Sequence, residues 1–477
     1  MEPPDMTPPT GPDTDESTVD ARGPSRPATG PEHQPLSYAQ EQLWFLDQLS
    51  PGETMYNIGN VYRLRGPLHV GLLQRSLTAV IGRHEALRAS FGAADGVPYQ
   101  VVAAAAEVPL PVLDWTDGDP AQHDLTATLA AWMGASFDLE TGPLYRFQLI
   151  RLAAEEHVLA MGFHHIVTDG WSAGLLNAEL STVYQALSAG QSPALPEPEL
   201  SYADHVRAER ARLAGQELDD ELRHWESYLA GLPVVELPAD RLRQATPSYL
   251  GDSVTVDFPA PLLAGLRALA AEQGTSLFMT LSTALGVVLS RYTGAQDIPL
   301  GVPMLGRSTP ELESVVGLFV NMVVLRADLS GDPSFADLLE RLTEANFDLY
   351  DHQDLPFEKV VERVQPVRDP SRNPLFQVAI QVLGGENSGG NLALPGLVIE
   401  TIPVHASRAR FDLAVNFVES PEKLLLYIEF STDLFHRRRI EALSGHMIEL
   451  LTAAVADPST RLSKLPLLSA AERERLL

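Results

Sequence analysis

Apolar side chains along this chain fall into two rhythms. In one they recur every three or four residues, the spacing that lines one face of a helix. In the other they run nearly unbroken, as in strands covered on both faces. Leu43, Leu46 and Leu49 predict a helix over 38–49, which Pro51 then stops. A strand is expected at 61–64, and Leu72, Leu73, Leu77, Val80 and Ile81 outline an amphipathic helix. Apolar runs predict strands at 145–152 and 157–163, the second leading straight into His164, and a helix is expected over 175–187.

After residue 210 the same ingredients return. Helices are predicted at 261–272 and 277–292, strands at 298–303 and 316–325, and a long helix at 335–350. Strand-like runs follow at 376–382, 398–403, 411–418 and 423–430, and a helix over 439–454 closes the pattern. Two successive mixed sets predict an α/β (α+β) protein of two similar lobes, over 36–210 and 211–477. Residues 1–35 are rich in Pro, Asp, Glu, Thr and Gly and almost lack large apolar side chains. Such a tail cannot bury enough surface to offset its ordering entropy, so disorder is expected there.

Composition narrows the function classes. The 34 basic and 63 acidic residues give a net charge of -29. Phosphate recognition needs clustered Lys and Arg, and the basic triplet Arg437, Arg438, Arg439 is isolated, so neither nucleic acid nor a membrane is an expected partner. Cysteine is absent, which removes disulfides, thiolate nucleophiles and Cys-ligated metals. The start of the chain has no basic region followed by an apolar core, as a signal peptide would. The longest apolar stretch, 277–289, is interrupted by Thr280, Ser282 and Thr283 and is too short to cross a bilayer. A soluble, cytoplasmic protein is expected.

The densest chemistry lies in Phe163-His164-His165-Ile166-Val167-Thr168-Asp169-Gly170-Trp171-Ser172. Consecutive side chains leaving a strand point to opposite faces, so of His164 and His165 one is expected as buried support and the other toward a substrate. Asp169 in a turn that Gly170 permits, with φ positive, can bond nearby amides and hold the loop that aims the histidine. Spacing alone leaves other readings open: an ordinary strand-to-helix connection, or a metal site. Adjacent histidines splay apart, however, and no third ligand lies near in sequence. A Ser-His-Asp triad lacks its Gly-x-Ser-x-Gly elbow.

The decapeptide resembles the His-His-x-x-x-Asp-Gly signature of the condensation-domain superfamily of nonribosomal peptide synthetases, which includes chloramphenicol acetyltransferase. Further motifs occur in that family's order. Ser37-Tyr-Ala-Gln40 with Leu43-Trp44 resembles the first, and Arg83-His84-Glu85-Ala86-Leu87-Arg88 with Phe91 the second. Tyr202-Ala-Asp204 resembles the fourth. Gly317-Leu-Phe-Val-Asn321 with Arg326 resembles the fifth, His352-Gln-Asp-Leu-Pro-Phe-Glu358 the sixth and Arg368-Asp-Pro-Ser-Arg-Asn-Pro-Leu375 the seventh. The resemblance covers about residues 36–470.

The resemblance implies two chloramphenicol acetyltransferase-like lobes in a V-shaped pseudo-dimer, with a central tunnel and His165 near its middle. It implies transfer of an acyl, aminoacyl or peptidyl group from a carrier-protein phosphopantetheine thioester to an amine or hydroxyl, giving an amide or ester. His165 would accept the nucleophile's proton. Asp169 would be structural and pair with Arg307, with the backbone near Gly170 and Trp171 at the developing oxyanion. His164 would support, while Asn321 either lines the channel or bonds backbone. Trp44 and Phe319 read as core, and Arg83, His84 and Arg88 as groups meeting the last carbonyls of their own helix.

No cofactor would be bound by the chain itself. The thioester arrives on a partner peptidyl carrier protein, and the acceptor is either on a second carrier or a free small molecule. Heterocyclisation relatives carry aspartate in place of the His pair, so cyclodehydration is not expected. Epimerisation domains, coenzyme A-dependent acyltransferases and idle docking modules are the remaining alternatives. The Gly-rich run Leu383-Gly-Gly-Glu-Asn-Ser388 is a poor match to a phosphopantetheine-bearing serine motif and reads as a hairpin loop. Met1 and the tail suggest a free-standing enzyme, although the ending from Leu467 resembles a linker toward an adenylation domain.

Overall fold

A computed structural model describes residues 33–117, 123–367, 369–384, 390–402 and 408–476. Most of the expected tail, Arg368 of the seventh motif and most of the Gly-rich run lie outside the described residues. The structure begins with α1 (Tyr38–Leu49), whose Ser37 and Gln40 form a capping box. There follow β1 (Asn57–Arg65), α2 (Val70–Arg83), the hairpin β2 (Ala89–Ala94) and β3 (Val97–Val102), β4 (Val112–Asp114) and α3 (Leu125–Met133). The first lobe ends with β5 (Tyr145–Ala153), β6 (Glu156–His164) and α4 (Gly170–Ser188).

Two helices, α5 (Tyr202–Arg212) and α6 (Gln216–Tyr228), lead onward. The second lobe then contains β7 (Gly251–Asp257), α7 (Ala260–Glu272), α8 (Leu277–Thr293), β8 (Asp297–Met304) and β9 (Asn321–Asp328). It continues with α9 (Phe335–Asp351), α10 (Phe357–Val364), β10 (Val378–Gly384), β11 (Val398–Thr401), β12 (Leu413–Glu419) and β13 (Leu424–Ser431). The last helices are α11 (Arg437–Ala456) and α12 (Ala470–Leu476).

One sheet has the order β11-β1-β6-β5-β4, the other β7-β13-β12-β10-β8-β9. Strand β6 is buried along nearly its whole length, which is why its sequence is apolar without alternation. Leu159, Met161 and Phe163 face the main core of the first lobe. Val158 and Ala160 face the other way, onto Leu129 of α3. The apolar stretch at 277–289 is the central helix α8, buried on all sides from Met279 to Leu289. Thr283 is tolerated there because its hydroxyl donates to the Met279 carbonyl at 2.8 Å. No helix among the described residues is long and apolar enough to cross a membrane.

Two differences from the sequence reading locate the junction between the lobes. The run expected as one strand over 316–325 is strand only from Asn321 onward. Its first half bends at Gly317 and makes its backbone hydrogen bonds with side chains of Ser172, Asp169 and Tyr202 in place of a neighbouring strand. In addition, β11 joins the first sheet, pairing with β1 from Tyr62↔Thr401 to Arg65↔Val398. Leu392 and Leu394 likewise pack into the first lobe's core. The second half of the chain therefore reaches back into the first.

Gly301 in β8 tests how closely the second core is packed. A Cβ there would fall within the ring of Phe376, itself almost fully buried. Gly301→Ala should therefore destabilise the protein by about 1–3 kcal/mol through overpacking, read as a lowered urea midpoint at unchanged slope. An unchanged midpoint would show that the Phe376 ring is free to move.

Candidate active site

His164 is the last residue of β6 and is buried. Its Nδ1 accepts the Ile166 amide at 3.2 Å, so Nδ1 is unprotonated and the neutral ring carries its proton on Nε2. The ring lies 6.4 Å from that of Tyr56 and edge-on to Phe137 at 6.2 Å. Burial, reinforced by the charges of His165 and Arg410, pushes its pKa down to about 3. This histidine is a permanently neutral packing element at ordinary pH.

His165 differs because the strand ends before it. Residues His165–Val167 form a single 3-10 turn, which swings the imidazole out of the alternation that would govern a continuing strand. Its amide donates to the Tyr56 carbonyl at 2.8 Å, and its Nδ1 lies 2.8 Å from the Thr168 carbonyl. A carbonyl can only accept, so Nδ1 carries the proton and Nε2 presents a lone pair. The residue is half-buried, reached by solvent yet surrounded by protein, as a channel-lining group would be. Burial and then the Arg410 charge hold its pKa well below the usual imidazole range, against the opposing pull of Asp169.

Asp169 sits four residues on as the N-cap of α4, and its side chain is only 3% exposed. Oδ1 accepts the Ser172 amide at 2.8 Å. Oδ2 accepts Arg307 Nη1 at 2.9 Å and the Phe319 amide at 3.0 Å. Arg307 belongs to the segment after β8, so the ion pair crosses between the lobes. Its Nη2 also donates to Ser172 Oγ at 2.9 Å, and the guanidinium stacks over the Phe319 ring at 4.1 Å. Ser172 Oγ in turn donates to the Gly317 carbonyl at 2.9 Å. Position 317 must be glycine here, because a Cβ would enter the Tyr202 ring.

The other candidates sort by their contacts. Gly170 does not have positive φ: it is the first residue of α4, and a Cβ there would meet nothing. The turn is made instead by extended backbone at Thr168 and Asp169, followed directly by helix. Trp171 Nε1 donates to the Glu313 carbonyl at 2.9 Å, a further tie across the junction. Asn321 spends its amide on backbone, donating to Gln353 and Leu355 carbonyls at 2.7 and 2.8 Å and accepting the Phe357 amide at 3.0 Å. Phe319 is core, and Trp44 packs half-buried against the first lobe's cluster.

Arg83 and His84 do not cap their own helix. They converge on the buried Glu179 of α4, at 3.1 and 2.7 Å, because that carboxylate needs partners more than exposed helix carbonyls do. Arg88 donates to the Ala103 carbonyl beyond β3.

Spacing could not reveal which distant groups support the loop. Gln40 of α1 donates from Nε2 to the Ile166 carbonyl at 3.2 Å. Tyr202 donates to the Leu318 carbonyl at 2.7 Å and meets Ser37 Oγ at 3.0 Å. Arg410, from the second lobe, is the cation that acts on both histidines.

Two further features lie elsewhere in the molecule. A cavity of about 1370 Å³ opens between Gln42 of α1, the 229–237 segment and the start of β8 and β10. Its walls are mostly apolar, and one of them carries Glu358, whose carboxyl burial pushes up to about 7. His224, Asp348 and His352 gather in the second lobe, but the two imidazoles stack at 3.5 Å and 15°. Lone pairs in nearly parallel planes cannot converge on one ion, so this cluster is not arranged to hold a metal.

Comparisons with known proteins place nearly the whole chain in one family. A family model described as Condensation domain matches residues 31–477. A linear gramicidin synthase polypeptide of Brevibacillus parabrevis is 40% identical over 461 residues, covering 94% of this chain and 6% of that protein. The chain thus spans a small fraction of the curated relatives it matches. The X-domain from teicoplanin biosynthesis superposes with a TM-score of 0.83 at 29% identity, covering 92% of this chain and 99% of that one. The first condensation domain of the calcium-dependent antibiotic synthetase, in complex with a substrate analogue, gives a TM-score of 0.77 at 22% identity, covering 92% and 99%.

The buried pair can be tested directly. Removing either partner leaves a desolvated charge or its unmet donors, so Asp169→Asn and Arg307→Ala should each cost about 3–5 kcal/mol in urea unfolding. The double variant should lose clearly less than the sum, by at least ~1 kcal/mol. Additive losses would show that the two side chains do not act on each other.

Proposed function

Because this chain belongs to the condensation-domain family, we propose that it joins a carrier-bound acyl group to an amine or hydroxyl acceptor, with His165 as the general base. The observation that carries this reading is the tautomer of His165. Its Nδ1–H is committed to the Thr168 carbonyl, which leaves the Nε2 lone pair as the free basic atom of the loop. The chemistry needs little more, since a thioester is already activated and requires neither ATP nor a metal. The acceptor's N–H or O–H proton passes to Nε2 as its heteroatom bonds to the thioester carbon. The C–S bond then breaks, and the departing sulfur takes the proton from Nε2. The chain ends as it began.

The remaining residues position this step. Asp169, Arg307 and Ser172 fix the first turn of α4, so that the helix start at Gly170 and Trp171 lies beside the imidazole's own loop. The positive end of a 19-residue helix favours negative charge on the carbonyl oxygen during attack. His164 keeps the strand end packed without competing for a proton. The phosphopantetheine thioester comes from a partner carrier protein, and the acceptor from a second carrier or from solution.

A second reading is favoured by one comparison, the high similarity to a teicoplanin X-domain, which another solved structure holds in complex with OxyB. On that reading the chain would be a docking module without turnover. The intact His165, Asp169 and Arg307 arrangement supports the condensing role, because a docking surface has no need of an aimed lone pair.

Turnover experiments separate these readings. A carrier protein bearing a simple aminoacyl thioester, offered an amine and an alcohol of matching shape, should yield product with the wild type, and His165→Ala should slow it at least ~10²-fold. The loss should be about tenfold greater for the alcohol, which is hardly ionised near pH 7. Equal losses would mean the histidine acts mainly by charge and position. His164→Ala should lower the melting temperature more than the rate.

The pH dependence follows from the lowered pKa of His165. Its free-base form persists on acidification below the ordinary imidazole pKa of ~6.5, so the acid limb of kcat/KM should also lie below ~6.5. A limb at or above that value would contradict the assignment of His165 as a neutral, desolvated base.

A further inference from the structure

Among the described residues, Arg410 is a cation with no counter-ion: no carboxylate of theirs lies within ion-pair distance of its guanidinium, and none of them hydrogen-bonds its side-chain nitrogens. Most other half-buried arginines of the second lobe are matched. Arg243 is held bidentately by Asp412, Arg326 by Asp297, and Arg439 by Asp240. An unpaired guanidinium in a half-buried place costs stability unless it serves something else.

The backbone around Arg410 is firmly held. The Ala409 amide donates to the Tyr249 carbonyl at 2.9 Å, the Arg410 carbonyl accepts Asn373 Nδ2 at 2.8 Å, and the next residue but one is the buried, paired Asp412. From this anchor the side chain reaches the opposite lobe, where its Cζ lies 5.3 Å from the Tyr56 ring centroid. Tyr56 is the residue whose carbonyl accepts the His165 amide and whose ring faces His164. The second lobe thus projects a bare positive charge onto the segment that cradles the imidazole.

We propose that Arg410 is a positioning residue for the transfer step, a guanidinium left unpaired so that its field disfavours a positive imidazole at His165 and favours negative charge on the acyl oxygen. This rests on the reading of His165 as base. The other charged or titratable groups around the imidazole are few. His164 from β6 is neutral, Asp169 from α4 is neutralised by Arg307, and Tyr56 precedes β1. Glu429 of β13 feels Arg410 without reaching it, and Glu358 of α10 acts on Tyr56. Among the described residues, Arg410 is therefore the cation that acts on His165 without a carboxylate partner. The proton and bond changes are those of the transfer itself, and Arg410 gains or loses no proton in them.

The test is a histidine titration that needs no substrate, followed by a rate profile. The full chain, labelled with ¹³C,¹⁵N-histidine, is titrated as wild type, Arg410→Gln, Arg410→Met and Arg410→Lys, with His165→Ala assigning the resonance. Arg410→Met keeps an apolar stem against Tyr56 should Arg410→Gln fold poorly. Losing the cation should raise the His165 pKa by about one unit in either neutral variant, with Lys restoring it. Because the free base is the active form, the acid limb of kcat/KM for an aminoacyl carrier-protein donor should move to higher pH by the same amount.

A folded neutral variant whose His165 titrates as in wild type would overturn the proposal, whatever its activity. If the resonance shifts but the rate profile stays fixed, Arg410's field is upheld and His165's role as base is what fails.

Discussion

The Asp169 carboxylate has been taken out of water, and a charge so placed is tolerable only while its lone pairs are met. Its partners are the Ser172 amide of its own helix, the Arg307 guanidinium and the Phe319 amide. The first belongs to one lobe and the other two to the second. One carboxylate consequently fixes the histidine loop, starts α4 and fastens the second lobe to both. Tyr202 and Ser172 extend the same network along Gly317 and Leu318. The cost of leaving any member unsatisfied makes these contacts form together or fail together.

That dependence explains what could be read from the sequence. Helices α7, α8, α9 and α11 and strands β5, β6, β8, β12 and β13 follow from local periodicity, because each buries its own pattern against one core. The stretch 316–320 has an equally good strand pattern and is not a strand. Its backbone partners are side chains more than a hundred residues away in sequence, and no local rhythm encodes them. The short strand β11 misleads in the opposite sense: its sequence reads as part of the second lobe, yet its hydrogen bonds complete the first sheet. Helix α5 escapes a reading by periodicity, as its polar, charge-rich sequence carries little amphipathic pattern, whereas α6 does present Leu218, Leu222 and Trp225 at helical spacing to the second core.

Within the site, the histidine pair was legible as one buried and one presented ring, but for an incomplete reason. Strand alternation would separate the two side chains by facing them oppositely. What separates them is the change from strand to 3-10 turn between them, together with the different acceptors at their Nδ1 atoms. One ring accepts an amide and the other donates to a carbonyl, so adjacent identical residues present opposite tautomers. Gly170 illustrates a motif position whose local need is not conformational, since neither its φ nor its surroundings exclude a side chain.

The two lobes contribute unlike things to the junction. The first supplies the imidazole and the anionic Asp169, and the second supplies the cations Arg307, Arg408 and Arg410. Arg307 is ion-paired across the junction, and among the described residues Arg410 is not. Motion between the lobes must respect this division, because opening at Asp169 would strand a buried charge, and opening at β11 would expose a paired sheet edge. Arg410 meets Tyr56 as a cation resting on an aromatic ring without a hydrogen bond, while two residues earlier Arg408 pairs with Glu53 across the junction at 3.3 Å. A displacement at that contact would change the distance between the Arg410 charge and His165 while the Asp169 contacts still held the histidine loop.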